Sequence, residues 1–386
     1  MLFKNVMVDE ALKRQLVSLV DENRISHAQL FLGKEGTHGF ALAIAYAQYL
    51  CCEDRHDGDS CGKCHSCVMF EKLQHPDLHL IFPNCTTKGV DKDPDSKKLA
   101  NVFRNFVFNR NYHIDFNSWG KELDSKNKEI SINIRDCANI IQQNSIRAHE
   151  NGYKIYILWM AEKLHHTAAP KLLKTLEEPE NKTLFILLAE SSDHILPTIL
   201  SRTQLVKIPP ISDTIIKEHL MVDKNIPENI ATDIATIAEG NYVKALSLSE
   251  ENNEIHHLLT AYNIFLRSIT SYAQNLDLKQ VNYLQTQDYI LNIKKDGKEA
   301  CKQFLRYMLR MFRNELLLNL QVKELVKATK EEYDCLDTYK SFFTLKNAQP
   351  LLQDCSQALY HIERNCNFSI VITDLYFKIA QHFIKR

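Results

Sequence analysis

Net charge is almost missing from this chain. Its 47 lysines and arginines face 48 aspartates and glutamates, leaving −1 over 386 residues. A domain that grips DNA on its own carries a clear basic excess, so that class is disfavoured; DNA contact shared with partners is not. Long apolar runs are missing too. No window reaches about 18 uninterrupted apolar residues, so no membrane span is expected. The first ten residues hold no apolar signal core, and no secretory leader is expected. The 11 cysteines are an odd number, and most are scattered through apolar helical contexts. That argues against a disulfide framework and for a reducing cytoplasm. No Ser/His/Asp, Cys/His or paired-carboxylate set stands out. His165 and His166 are adjacent, so on a helix they diverge by about 100° and read as a solvated helix start.

What is present begins with a cysteine cluster. Cys52, Cys61, Cys64 and Cys67 lie close together, the last three on a strict every-third spacing. A Cys-x2-Cys pair in a tight turn aims two sulfurs at one point, and tetrahedral zinc takes four such donors. Four thiolates leave no open position for water, so a structural Zn2+ is expected rather than a catalytic one. Cys51 is adjacent but is expected to face the helix core. His56 and His65 are weaker competitors.

The length allows two or three domains. Residues 8–22 have helical apolar spacing. A short apolar run at 28–32 ends in Gly33, and 40–51 is apolar nearly all round, as in a buried helix. Strands are expected at 78–82, 153–160, 183–188 and 205–208, and helices at 132–149, 164–178 and 197–202. This alternation predicts a parallel sheet covered on both faces. Pro209 and Pro210 form a hinge, and every later periodic segment is helical. Leu305, Met308, Leu309, Phe312, Leu316 and Leu320 make one stripe, with Arg306, Arg310 and Arg313 off it. Ile372, Leu375, Tyr376, Ile379 and Phe383 make another. Residues from about 84 to 129 read as an insertion, with a mobile charged loop at 88–98 and an ordered aromatic part at 103–119. The aromatic–basic alternation there can bind single-stranded nucleic acid, but packing or a protein contact is the favoured reading.

Gly33 opens a stretch shaped like a phosphate-binding loop. A working loop needs a second glycine, a lysine for the outer phosphates and a hydroxyl for magnesium. His38, Gly39 and Phe40 hold those positions, with Gly36 between them and Gly33. The strand at 153–158 should end in paired carboxylates; it ends in Trp159 and Met160. Glu162, two residues on, reads as a surface carboxylate. Neither ATP binding nor hydrolysis is expected from such a pair of sites.

Leu172-Leu-Lys-Thr-Leu-Glu-Glu-Pro179 and Leu200-Ser-Arg-Thr-Gln204 resemble the clamp-loader branch of AAA+ ATPases. With the cysteine module after a degenerate loop, the sequence is similar to the delta-prime family of the bacterial DNA polymerase III clamp loader. His27 to Gly33, His75-Pro-Asp77 and Arg364-Asn-Cys-Asn367 fit it as well. The resemblance implies a RecA-like AAA+ α/β domain at 1–209, carrying a zinc module at 52–67 and the insertion. It implies a helical lid at 210–250 and an all-α collar domain at 251–386. It makes Arg202, with Ser201, an arginine finger offered in trans to ATP on a neighbour; Thr203 replaces the family's cysteine. It places Val243 where active members keep an ATP-sensing lid arginine. It implies a non-hydrolysing component of the polymerase III holoenzyme in the cytoplasm. Its partners would be the ATPase (gamma/tau) and delta subunits and, through the complex, the sliding clamp and primed DNA. The competing readings are an active AAA+ ATPase and an unrelated zinc-containing nucleic-acid-binding protein.

Overall fold

The structure, a computed structural model, describes residues 1–87, 89–90, 92–125, 128–144, 152–250, 252–274, 293 and 297–384. They fall into two compact units. One comprises Met1–Asp223 and Ala238–Leu246, the other Lys224–Ile237 and Ser247–Arg386.

The first unit is built on five parallel strands: β1 (Ala28–Leu32), β2 (Leu78–Ile81), β3 (Lys154–Leu158), β4 (Thr183–Ala189) and β5 (Gln204–Lys207). Their order is β2-β3-β4-β1-β5, with Leu30 level with Leu187 and with Leu205. β3 and β4 are buried along their whole length, which is why they read as continuous apolar runs. Alternate residues feed opposite faces. Phe31, Ile155, Ile157 and Ile186 pack under α1 (Glu10–Asp21), α2 (Gly39–Cys51) and the insertion. Leu30, Tyr156, Phe185 and Leu187 pack under α6 (Ile134–Asn144) and α7 (Ala169–Glu177).

Between β2 and α6 the insertion forms α4 (Ala100–Asn109) and α5 (Phe116–Glu122), after the short α3 (His65–Glu71) of the cysteine module. Phe103, Phe106 and Trp119 are fully buried, so these aromatics pack on their own domain, whereas Phe108 is exposed. The later part of the expected loop at 88–98 is tied to the domain. Asp95 and Ser96 are buried; the Ser96 N–H donates to Asp136 at 2.7 Å and the Phe82 N–H donates to Ser96 Oγ at 3.1 Å. Lys88 and Asp91 lie outside the described residues, as do 145–149 of the expected helix 132–149. The helix expected from 164 begins only at Ala169, with Pro170 in its first turn, where a missing N–H costs nothing. α8 (Pro197–Leu200), α9 (Asp213–Lys224), α10 (Glu228–Ala238) and α11 (Tyr242–Glu250) follow.

The second unit is a helical bundle: α12 (Asn252–Ala273), α13 (Lys298–Asn319), α14 (Lys330–Tyr339), α15 (Leu345–Glu363) and α16 (Phe368–Ile384). The stripe at Ile372, Leu375, Tyr376, Ile379 and Phe383 is buried as expected. The other stripe needs correction. Leu320 lies past the end of α13 and is 41% exposed. Arg310 lies off the stripe as expected and pairs with Glu332, which is wholly buried at the start of α14 and also accepts from the Tyr307 hydroxyl at 2.9 Å. A charge at that depth needs a counter-ion. No helix among the described residues is long and apolar enough to cross a membrane.

Candidate functional site: a filled cavity at the glycine loop and a four-thiol cluster

Helix α2 connects the two sites. Its N-terminus carries the glycine loop and its C-terminus delivers Cys52.

At the N-terminal end the loop backbone is closed on itself. Thr37 Oγ1 donates to the Lys34 carbonyl at 2.7 Å. Gly36 has φ +76°, and a Cβ there would lie 1.9 Å from Asn241 Oδ1. The Gly36 carbonyl accepts from the Tyr242 N–H at 3.2 Å. His38 takes a left-handed conformation, φ 59°, just before α2. Its ring turns inward, where Nδ1 accepts from the Met7 N–H at 3.0 Å. Nδ1 is therefore the unprotonated nitrogen of a neutral ring. Nε2 has no partner. Burial, then the neighbouring His113, holds His38 well below the usual imidazole range.

The cavity beside this loop has a volume of about 50 Å³, against several hundred for a typical ligand pocket. Its walls explain why. Phe40 and Ile208 rise from the domain itself, Trp159 and Met160 from the end of β3, Val243 from α11, and Tyr112, His113 and Ile114 from the insertion. Trp159 and Met160 are buried at 6% and 5% exposure. Phe103 and Phe106 of α4 lie 5.5 and 6.5 Å from the Trp159 ring. Lys34 is the one cation among the described lining residues. Glu190, also in the wall, has its carboxyl pushed up to about 7 by burial, then by Glu35 and Glu162. Glu162 is not the surface carboxylate expected. It is half-buried, and its Oε1 accepts from the Glu190 N–H at 2.9 Å. The segment 112–114, with Tyr242 and Glu190, went unrecognised in the sequence. No spacing rule links residue 38 to residues 113 and 242.

At the C-terminal end of α2 the four Sγ atoms of Cys52, Cys61, Cys64 and Cys67 all lie within 4.8 Å of one another. Those of Cys61 and Cys67 are 3.9 Å apart; tetrahedral zinc at its usual bond length separates sulfurs by about 3.8 Å. Gly62, φ +71°, makes the turn. Cys64 caps α3, so Cys64 and Cys67 point from one helical turn. The N–H groups of Lys63 and Cys64 donate to Cys61 Sγ and pull its thiol down to about 6. Burial pushes the Cys67 thiol up. These residues can hold a metal. Cys51 points elsewhere, its Sγ 4.0 Å from the Tyr153 carbonyl. His56 and His65 are exposed.

Arg202 and Ser201 sit in the turn after α8. Arg202 pairs with Glu177, and its guanidinium donates to the Thr198 carbonyl at 2.8 Å and Ser201 Oγ at 3.3 Å. Its side chain is 34% exposed, and it does not line the cavity of its own chain. His165 and His166 precede α7 rather than opening a helix, and their rings lie 4.3 Å apart instead of diverging; His165 also bonds Thr167.

A parallel sheet in this order, with a glycine loop between its first strand and a buried helix and a helical region after it, defines a RecA-like AAA+ domain. The family described as "DNA polymerase III, delta subunit" matches residues 8–212, more than half of the chain, and the chain belongs to that family. The DNA polymerase III subunit delta' of Bacillus subtilis is 27% identical over 237 residues, 61% of this chain and 58% of that protein. Its Haemophilus influenzae counterpart is 29% identical over 282 residues, 72% of each. Among solved structures, a gamma subunit-related protein of Thermotoga maritima aligns over 96% of this chain and 99% of its own, at 13% identity and TM-score 0.42.

Proposed function

We propose that this chain is a non-hydrolysing subunit of the bacterial replicative clamp loader. It assembles with gamma/tau ATPase and delta subunits and lends Arg202 to ATP bound on its neighbour, during loading of the sliding clamp on primed DNA. The observation that carries the reading is the filled pocket. The lysine and hydroxyl positions are Gly39 and Phe40, the carboxylate positions are Trp159 and Met160, and the wall gathers Glu190 where phosphates would need cations.

The geometry around Arg202 suits a finger offered in trans. A guanidinium stays charged at any working pH and forks onto phosphate oxygens. Its pairing with the half-exposed Glu177 is of a kind worth under about 1 kcal/mol, so exchanging that carboxylate for a phosphate costs little. Ser201 and Thr198 anchor the base of the turn. Cys52, Cys61, Cys64 and Cys67 would hold a structural zinc that ties the 52–64 loop to α2 and α3. In this reading residues 1–209 form the AAA+ body, 210–250 the lid and 251–386 the assembly collar.

The test is reconstitution with the ATPase and delta subunits. Arg202→Ala should leave assembly intact and lower turnover at the one site it serves by about a thousandfold. Undiminished DNA-stimulated ATPase in that complex rules out the finger.

A further inference from the structure

The insertion touches both places where nucleotide chemistry is missing. Phe103 and Phe106 of α4 pack on Trp159, at the end of β3. A few residues later Tyr112, His113 and Ile114 enter the cavity beside the glycine loop. His113 is 7% exposed and stacks on His38, ring centroids 4.3 Å apart at 21°. The His113 ring also lies 4.5 Å from that of Tyr242, at the start of α11. Tyr242 in turn meets His219 of α9 edge-on at 6.2 Å. Four rings from residues 38, 113, 242 and 219 thus form one column. It runs from the loop, through the insertion, to the two helices that follow the sheet.

This column is built for packing. Nε2 of His38 and Nδ1 of His113 have no hydrogen-bond partner among the described residues. Among the described residues neither ring is held by a carboxylate as a catalytic base would be. The backbone tie from Tyr242 to Gly36 and the side-chain tie from Asn241 to Glu35 run alongside it. Val243, where an ATP-sensing arginine would stand, lines the same cavity.

We propose that the insertion is an in-chain occupant of the lost nucleotide pocket, and that its His113 clasps α9 and α11 to the sheet without any ligand. The inference rests on reading this pocket as a nucleotide site that has lost its chemistry. A bound nucleotide can join two parts of a domain only while it is bound; a ring supplied by the chain joins them permanently. The arrangement of the glycine loop, α9 and the start of α11 is then independent of ATP concentration.

Hydrogen exchange on the full chain tests this. His113→Ala should speed exchange at 213–223 and 242–246 by about tenfold, relative to the C-terminal helices of the same molecule. His113→Phe keeps a flat ring and should stay near wild type. Tyr242→Leu breaks the column from its other side and should reproduce the Ala effect. Magnesium-ATP should leave wild-type exchange unchanged everywhere. If exchange is unaltered in both His113→Ala and Tyr242→Leu, the clasp is wrong. If ATP protects residues 33–40 of the wild-type chain, the reading of the pocket fails with it.

Discussion

The two ends of helix α2 went opposite ways. At its C-terminal end four thiols kept a complete donor set, pre-turned by Gly62 and the cap of α3. At its N-terminal end Phe40, Trp159 and Met160 stand where a phosphate site would keep its donors, and rings from far along the chain fill the space. In the proposed reading one end is organised by a bound metal, the other by the protein itself. A site that needs an ion keeps strict residue types. A site that needs only to be full accepts whatever shape packs.

The comparison is sharpest under metal removal. Stripping zinc, or replacing Cys64 by Ala, should unravel 52–71, because structural zinc in such modules contributes roughly 10–16 kcal/mol of binding energy. The wild-type chain should carry one zinc by metal analysis and resist proteolysis within 52–71. The variant should carry none and be cut there. Equal resistance with and without metal would remove the contrast, since both ends would then be self-sufficient.

A smaller effect should appear on acidification. His113 is held down to about 4 by burial, with His219 adding to the shift and Asp223 opposing it; His38 stacks on its face. The unfolded chain takes up a proton near 6.5 and the folded one does not. The His113 contribution is therefore intact above 6.5, falls as pH drops toward about 4 and is level below that. The full loss is about 3 kcal/mol. Glu190, raised to about 7, works in the opposite direction, so the informative quantity is a difference. The stability of His113→Phe relative to wild type should improve between pH 6.5 and 4, measured by urea unfolding. A constant gap would mean that His113 is not buried as a neutral ring.

The smallest contrast lies in two glycines. Both Gly36 and Gly62 have positive φ, but a Cβ on Gly62 would meet nothing nearer than 3.6 Å. Gly62→Ala should cost about 1 kcal/mol from backbone strain alone. Gly36→Ala must also displace Asn241, whose Oδ1 accepts from the Lys244 N–H at the start of α11. It should cost at least about 1 kcal/mol more. Equal denaturation midpoints would show that the loop yields more freely than its contacts imply.

Sequence alone reached one end of α2 much further than the other. The strands could be read because β3 and β4 are buried on both faces and appear as unbroken apolar runs. The thiol cluster could be read because ligand spacing is local, with three of its four members within one turn and a cap. That His38, Gly39, Phe40, Trp159 and Met160 hold the positions where a working site keeps glycine, lysine, hydroxyl and carboxylates was equally visible. What fills the gap was not, because His113 meets His38, and Tyr242 meets His113, across long stretches of sequence. Glu162 was misjudged as a surface charge, and the pairing of Arg310 was not foreseen, for a related reason. Their partners, the Glu190 N–H and Glu332, lie on other elements. Charge alone does not say which residues a fold will bury together.

The account turns on whether the pocket is closed to nucleotide. Titration calorimetry of magnesium-ATP into the purified, zinc-loaded chain addresses that directly. The account predicts no saturable heat at any attainable concentration. A single site with micromolar affinity would contradict it.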